Sequence, residues 1–142
     1  MRRVAFVFVF LAACASSQPS TGPNVQIAIT QQGFSPDLYY FRGPVSLQYQ
    51  LAISNPTNQP ITLRRLDLQT EGSGAYSLRT SGPFNLTIPA NSTATQNVYA
   101  WGYSRGGLLT QGEPVTMRIT AMFADASGKG FQRIAMQNLQ QP

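Results

Sequence analysis

Cys14 is the only thiol in the chain, and no histidine accompanies it. Without imidazole there is no Ser-His-Asp or Cys-His nucleophile system, and the commonest zinc ligand is missing as well. Of the five acids, Asp37, Asp67, Glu71, Glu113 and Asp125, only Asp67 and Glu71 are close in sequence. Four residues of strand would hold that pair about 13 Å apart, beyond the reach of paired glycosidase carboxylates. A Ser-x-x-Lys dyad ending at Lys129 fails because Ala126 stands where the serine belongs. Gly72-Ser73-Gly74 and Gly128-Lys129-Gly130 lack the spacing of a phosphate loop and read as turns. Asp125 with Ser127 offers a single carboxylate, thin ligation for a hard cation such as calcium. The expectation is a non-enzyme with no catalytic residue, no metal and no cofactor.

The chemistry that remains is contact rather than bond-making. Tyr99, Trp101 and Tyr103 share one parity of a strand, and Val98, Ala100 and Gly102 share the other, so either set could be core. The aromatic set is favoured as the core. If it faces solvent instead, it makes a flat platform for a glycan or a partner protein, with Arg105 adding a polar contact at its end. Tyr40 is a further candidate contact, because Tyr39-Tyr40-Phe41 cannot all point inward from one strand.

Cys14 closes a leader with the layout of an export signal. Arg2 and Arg3 give a positive start, residues 4–11 are eight apolar side chains, and Ala12 and Ala13 are small. Eight residues of helix rise only about 12 Å, far short of a hydrocarbon core of roughly 30 Å, so the run is a processing signal and not a span. Paired arginines alone do not make a twin-arginine signal, since Val4-Ala5-Phe6 does not continue that pattern. The four residues Leu11-Ala12-Ala13-Cys14 resemble the lipobox of bacterial lipoproteins. The resemblance implies cleavage before Cys14 and a diacylglyceryl group on its sulfur. It fits the count of one cysteine, because an unpaired exposed thiol is a liability in an oxidising compartment and a thioether is inert. An ordinary secretory signal, cut near Ala13 and leaving Cys14 a stray thiol, is the alternative. Two or more acyl chains hold a protein stably on a bilayer, so the resemblance implies a membrane anchor without a spanning helix. It also places the protein in the cell envelope, at the outer membrane in a host with two membranes, since Ala15 rather than Asp follows the cysteine.

Removing Arg2 and Arg3 leaves eight basic residues against five acids, a net charge of +3 scattered along the chain. Such a balance is no footprint for nucleic acid. About 130 residues suit one domain that buries its own core without a disulfide or metal staple.

From residue 24 onward the apolar period is two. Val25, Ile27 and Ile29 alternate, and so do Val45, Leu47, Tyr49, Leu51 and Ile53. Asn55-Pro56-Thr57-Asn58-Gln59-Pro60 reads as a turn. Ile61 and Leu63 then differ in parity from Leu66 and Leu68, which makes Arg64-Arg65 a candidate β-bulge with exposed arginines. Residues 75–79 read as a short edge strand ended by a break at Ser81-Gly82-Pro83. Residues 84–88, 93–103, 115–123 and 131–137 continue the pattern, the last two as a hairpin around residues 125–130.

About seven strands with Pro and Gly turns predict an all-β, antiparallel, Ig-like β-sandwich after a cleaved signal peptide. Residues 51–63, with Asn55-Pro56 and Pro60, followed by residues 88–93, resemble fibronectin-III-like and water-stress (late-embryogenesis) Ig-like domains, a resemblance of fold that carries no site. The division expected is a signal peptide at 1–13, acylated cysteine and tether at 14–23, the sandwich at 24–138 and a polar tail at 139–142. The function expected is a non-catalytic envelope module for protein–protein contact or assembly, with a glycan- or peptidoglycan-binding module as the alternative. Oligomeric state is left open.

Overall fold

The computed structural model describes residues 22–32, 42–106 and 114–139. The leader, Cys14, Tyr40 and the last three residues lie outside the described residues. The described chain forms seven antiparallel strands: β1 (Gln26–Gln31), β2 (Gly43–Asn55), β3 (Ile61–Glu71), β4 (Tyr76–Ile88), β5 (Ser92–Ser104), β6 (Val115–Ala124) and β7 (Gly130–Leu139). No helix among the described residues is long and apolar enough to cross a membrane.

The spatial order is β1-β2-β5-β4-β3-β6-β7. One layer holds β1, β2, β5 and the start of β4; the other holds the rest of β4 with β3, β6 and β7. β4 joins the layers by changing partner: Tyr76, Ser77 and Leu78 pair with β5, whereas Arg79 onward pairs with β3. On the opposite side, the Gln137 amide of β7 closes the gap to β1. It accepts from the Ile29 N–H at 3.0 Å and donates to the Ile29 carbonyl at 2.7 Å. Arg133 of β7 also donates to the carbonyls of Gly22 and Pro23, just ahead of β1. The sandwich is thereby nearly a barrel.

The period-two pattern is what fills it. Val45, Leu47, Tyr49, Leu51 and Ile53 of β2 are buried, as are Val115, Met117, Ile119, Ala121 and Phe123 of β6. Full burial of such a side chain contributes roughly 1.5–3 kcal/mol, and this row repeats on both layers. Phe123 and Phe131 stack across the last hairpin with centroids 5.2 Å apart. The hairpin turn is organised by Asp125, whose Oδ1 accepts from the Ser127 N–H, the Ser127 hydroxyl and the Lys129 N–H.

The bulge expected at Arg64-Arg65 is present: the register of β3 shifts between Leu63 and Arg65 against both neighbours. Leu63 and Leu66 are consequently both buried while Arg64 and Arg65 are exposed. The break expected at Ser81-Gly82-Pro83 is not; β4 runs through it as one strand. The reason lies in where the missing N–H of Pro83 points. The Leu78 N–H donates to Thr70 Oγ1 on β3 at 2.9 Å, and backbone groups alternate sides along a strand. The nitrogen of Pro83 therefore faces away from β3, toward an edge where no ladder bond is lost.

Candidate surface on the outer face of β5

The aromatic row faces solvent. Tyr99, Trp101 and Tyr103 are 68%, 72% and 49% exposed, the largest apolar groups on that face of the sandwich. This corrects the expectation that they form core, and the cause is across the ladder. β5 pairs with β2 so that Val98 lies opposite Tyr49, Ala100 opposite Leu47 and Gly102 opposite Val45. The bulk on that stretch of the inner face comes from β2, and β5 must present small residues to it. Gly102 is the clearest case: a Cβ there would lie 2.8 Å from Leu47 Cδ1 and 3.0 Å from the Ser77 carbonyl. The large side chains of β5 have only the outside left.

Alternate strand residues are about 7 Å apart, so the three rings form a line of about 13 Å. Pro44, Ser46 and Gln48 of β2 sit directly beside Tyr103, Trp101 and Tyr99. Gln50, Asn97, Thr95 and Thr93 extend the same face, and β1 adds Gln26, Ala28 and Thr30. None of these residues is charged. Arg105, expected at the end of the row, is exposed just beyond Tyr103, with its guanidinium donating to the Gly72 carbonyl at 3.2 Å. Its backbone N–H bonds Ala75. Tyr40 and Cys14 fall outside the described residues.

The opposite face carries the charge. Arg65 pairs with Asp67 at 3.0 Å, and Ser81 bridges the two by accepting from Arg65 and donating to Asp67. The Ser81 hydroxyl first, and then Arg65, hold the Asp67 carboxyl below its ordinary range. Asp125 is likewise lowered, chiefly by the Ser127 hydroxyl and by the backbone N–H groups of its turn. Both carboxylates are engaged in local structure, and no group of three or more metal-ligand residues occurs among the described residues.

Two buried polar clusters had no signal in the sequence beyond their residue types. Tyr49 donates to the Tyr76 hydroxyl at 2.8 Å, and Tyr76 donates to Gln31 Oε1 at 2.9 Å. Asn55, fully buried, donates to the carbonyls of Gln59, Ile88 and Pro89 and accepts from the N–H and hydroxyl of Thr57. Asn55 thus latches the turn it begins onto the β4–β5 turn, where Asn91 adopts a left-handed φ of 51° and donates its N–H to the Thr57 carbonyl.

No family model and no curated protein matches the chain. Solved structures do. A protein provisionally named ApaA, from Bordetella pertussis, superposes with a TM-score of 0.59 at 14% identity over 88% of this chain and 97% of its own. The structural-genomics protein SoR45 gives 0.56 at 18% identity over 83% and 86%. A protein provisionally assigned to the late embryogenesis abundant class gives 0.51 at 10% identity over 82% and 72%. These identities speak to fold alone. The late-embryogenesis likeness agrees with the resemblance carried by residues 51–63.

Proposed function

We propose that this chain is a lipid-anchored envelope protein in which an acylated Cys14 presents a non-catalytic, Ig-like sandwich, and that the outer face of β5 is its contact surface for a partner protein. The observation that carries the reading is the line of Tyr99, Trp101 and Tyr103, exposed among uncharged neighbours on β1 and β2, with Arg105 at its end. Aromatic enrichment with charge depletion is the composition of an interface centre, and Trp and Tyr are the residues on which binding energy concentrates. Gln48, Gln50, Ser46 and Thr95 would form its polar rim. The residual chemistry of the chain agrees with this: its thiol follows Leu11-Ala12-Ala13 in a sequence that resembles a lipobox, and the carboxylates Asp67 and Asp125 serve local hydrogen bonds.

Two measurements test the reading. Fatty-acid labelling in a bacterial host should follow the wild-type chain and vanish in Cys14→Ala; an unlabelled wild type overturns the anchor. A photo-crosslinking residue at Tyr99 should capture a discrete envelope protein in cells, and Trp101→Ala should weaken that complex about tenfold or more, as loss of an interface anchor does. A glycan is the competing ligand, because amides and hydroxyls flank the rings. Sedimentation of the protein with purified peptidoglycan, abolished by Trp101→Ala, would replace the protein partner with the glycan.

A further inference from the structure

The sandwich has four lateral edges, and three are guarded. β1 is sealed at Ile29 by the Gln137 amide. β7 supplies that amide and adds Arg133 against Gly22 and Pro23. β4 carries Arg79 and turns the nitrogen of Pro83 outward. Lysine or arginine, proline and covering side chains are the ordinary means of blocking edge-to-edge pairing. β5 has none of them. From Ser92 to Ser104 it contains no charge and no proline.

Among the described residues β5 is also unpaired on one side for most of its length. Its ladder with β4 ends at Gly102 opposite Leu78, and among the described residues no strand pairs with residues 93–101 on that side. Which backbone groups are exposed there follows from Arg105, whose N–H bonds Ala75 on the β4 side. Backbone groups alternate, so the odd-numbered residues Thr93, Thr95, Asn97, Tyr99 and Trp101 aim both N–H and C=O at the open edge. The inner face is unfinished at the same place, with Ala94 and Val98 only partly buried against the core.

The geometry points to a second copy of this chain as the occupant: two β5 edges pair antiparallel about a two-fold axis through Asn97. Residues 93–101 have Asn97 as their midpoint, so this register uses the whole open stretch and joins the hydrogen-bonding residues of both copies to one another. It forms about ten backbone hydrogen bonds. On the outer face it sets Tyr99 against Thr95 and Trp101 against Thr93 of the other copy, and aromatic with β-branched is a favourable cross-strand pair. On the inner face Val98 meets Gln96 and Ala94 meets Ala100, which covers the half-buried apolar groups. An uncharged strand meets its own copy without like-charge repulsion, and the isologous contact closes at two. The result is one continuous outer sheet from β1 to its symmetry mate, with the two aromatic rows on a common face. The edge is distinct from the ring faces, so this inference stands whether or not those faces bind a partner.

The test uses the full chain purified in detergent. Sedimentation equilibrium at matched detergent density should give a dimer for the wild type. Asn97→Lys, which stacks two like charges on the axis at an exposed position, should weaken the dimer at least tenfold, with a melting temperature equal to that of the wild type once both are diluted to monomer. In the hydrogen-bonded register the two Asn97 Cα atoms are about 5.5 Å apart, within disulfide range. Asn97→Cys should therefore form a reducible dimer under mild oxidation that the wild type does not form, while Thr30→Cys on β1 should not. A monomeric wild type at tens of micromolar overturns the proposal. So does an Asn97→Lys chain that dimerises like wild type, or an Asn97→Cys chain that crosslinks no better than Thr30→Cys.

Discussion

Replacing Asn55 by aspartate, a change of one amide nitrogen for one oxygen, is expected to destabilise the domain by about 4 kcal/mol or more at neutral pH, a large share of the stability of a single domain. The size follows from the direction of each hydrogen bond. The Nδ2 group of Asn55 faces the carbonyls of Gln59, Ile88 and Pro89 at 2.8, 3.2 and 3.0 Å. A carboxylate there places negative charge against three acceptors in a fully buried position, takes the amide donor from each of them and offers no cation in return. Asn55→Ala should cost less, about 3 kcal/mol, because it removes the amide from the three carbonyls and from Thr57 without adding a charge. The aspartate variant carries its own signature in pH. Burial and facing carbonyls raise its folded pKa above the unfolded value, so the folded state holds the proton longer. The deficit should therefore be greatest above that folded pKa and shrink on acidification toward the unfolded carboxylate range, where the protonated acid regains a donor. Urea unfolding of wild type and both variants across pH checks this. Equal midpoints for Asn55→Asp and wild type at pH 7 would show that the latch contributes nothing.

That latch also marks how far the sequence is legible. Asn55-Pro56 with Pro60 announces a turn, because each residue carries a local conformational preference. What Asn55 does beyond the turn is decided by Ile88 and Pro89, more than thirty positions away, and no local preference reports on that distance. The strands themselves were readable because period-two burial is written within each segment, as in Val45 to Ile53. The bulge at Arg64-Arg65 was readable for the same reason, since a change of parity between Leu63 and Leu66 is local. Parity on β5 was not, because both faces of residues 98–103 looked fit for a core. The choice belongs to β2, whose Tyr49, Leu47 and Val45 fill the space opposite Val98, Ala100 and Gly102. Pro83 misled by the converse route. A proline breaks a central ladder but not an open edge, and which of these β4 presents depends on its change of layer at Leu78.

The second large effect is expected from Tyr76→Phe, which should cost about 3 kcal/mol although it deletes one oxygen. The hydroxyl of Tyr76 is the middle of a relay, accepting from Tyr49 and donating to Gln31 Oε1, and all three residues are buried. Its loss orphans a donor on one side and an acceptor on the other, each at roughly 1–3 kcal/mol. Tyr49→Phe is the informative partner. It removes only the end of the relay and leaves Tyr76 still bonded to Gln31, so it should cost about 1 kcal/mol. The same pair governs the alkaline limit of the fold. Burial pushes the Tyr76 hydroxyl up to about 12, partly offset by the bond from Tyr49. Burial first, and then the neighbouring Tyr76, drive Tyr49 higher still. A phenol whose folded pKa is raised leaves stability intact below the unfolded value near 10, and stability then falls as pH rises, because the unfolded chain loses its proton first. Each phenol contributes a slope of about 1.4 kcal/mol per pH unit. For Tyr76 the loss runs from about pH 10 to about pH 12; for Tyr49 it continues beyond. The wild type should therefore lose stability steeply above pH 10, and Tyr76→Phe, though weaker at pH 7, should lose it at a visibly shallower slope. Parallel pH profiles for the two proteins, measured by denaturant unfolding, would mean that the relay is not the seat of the alkaline transition.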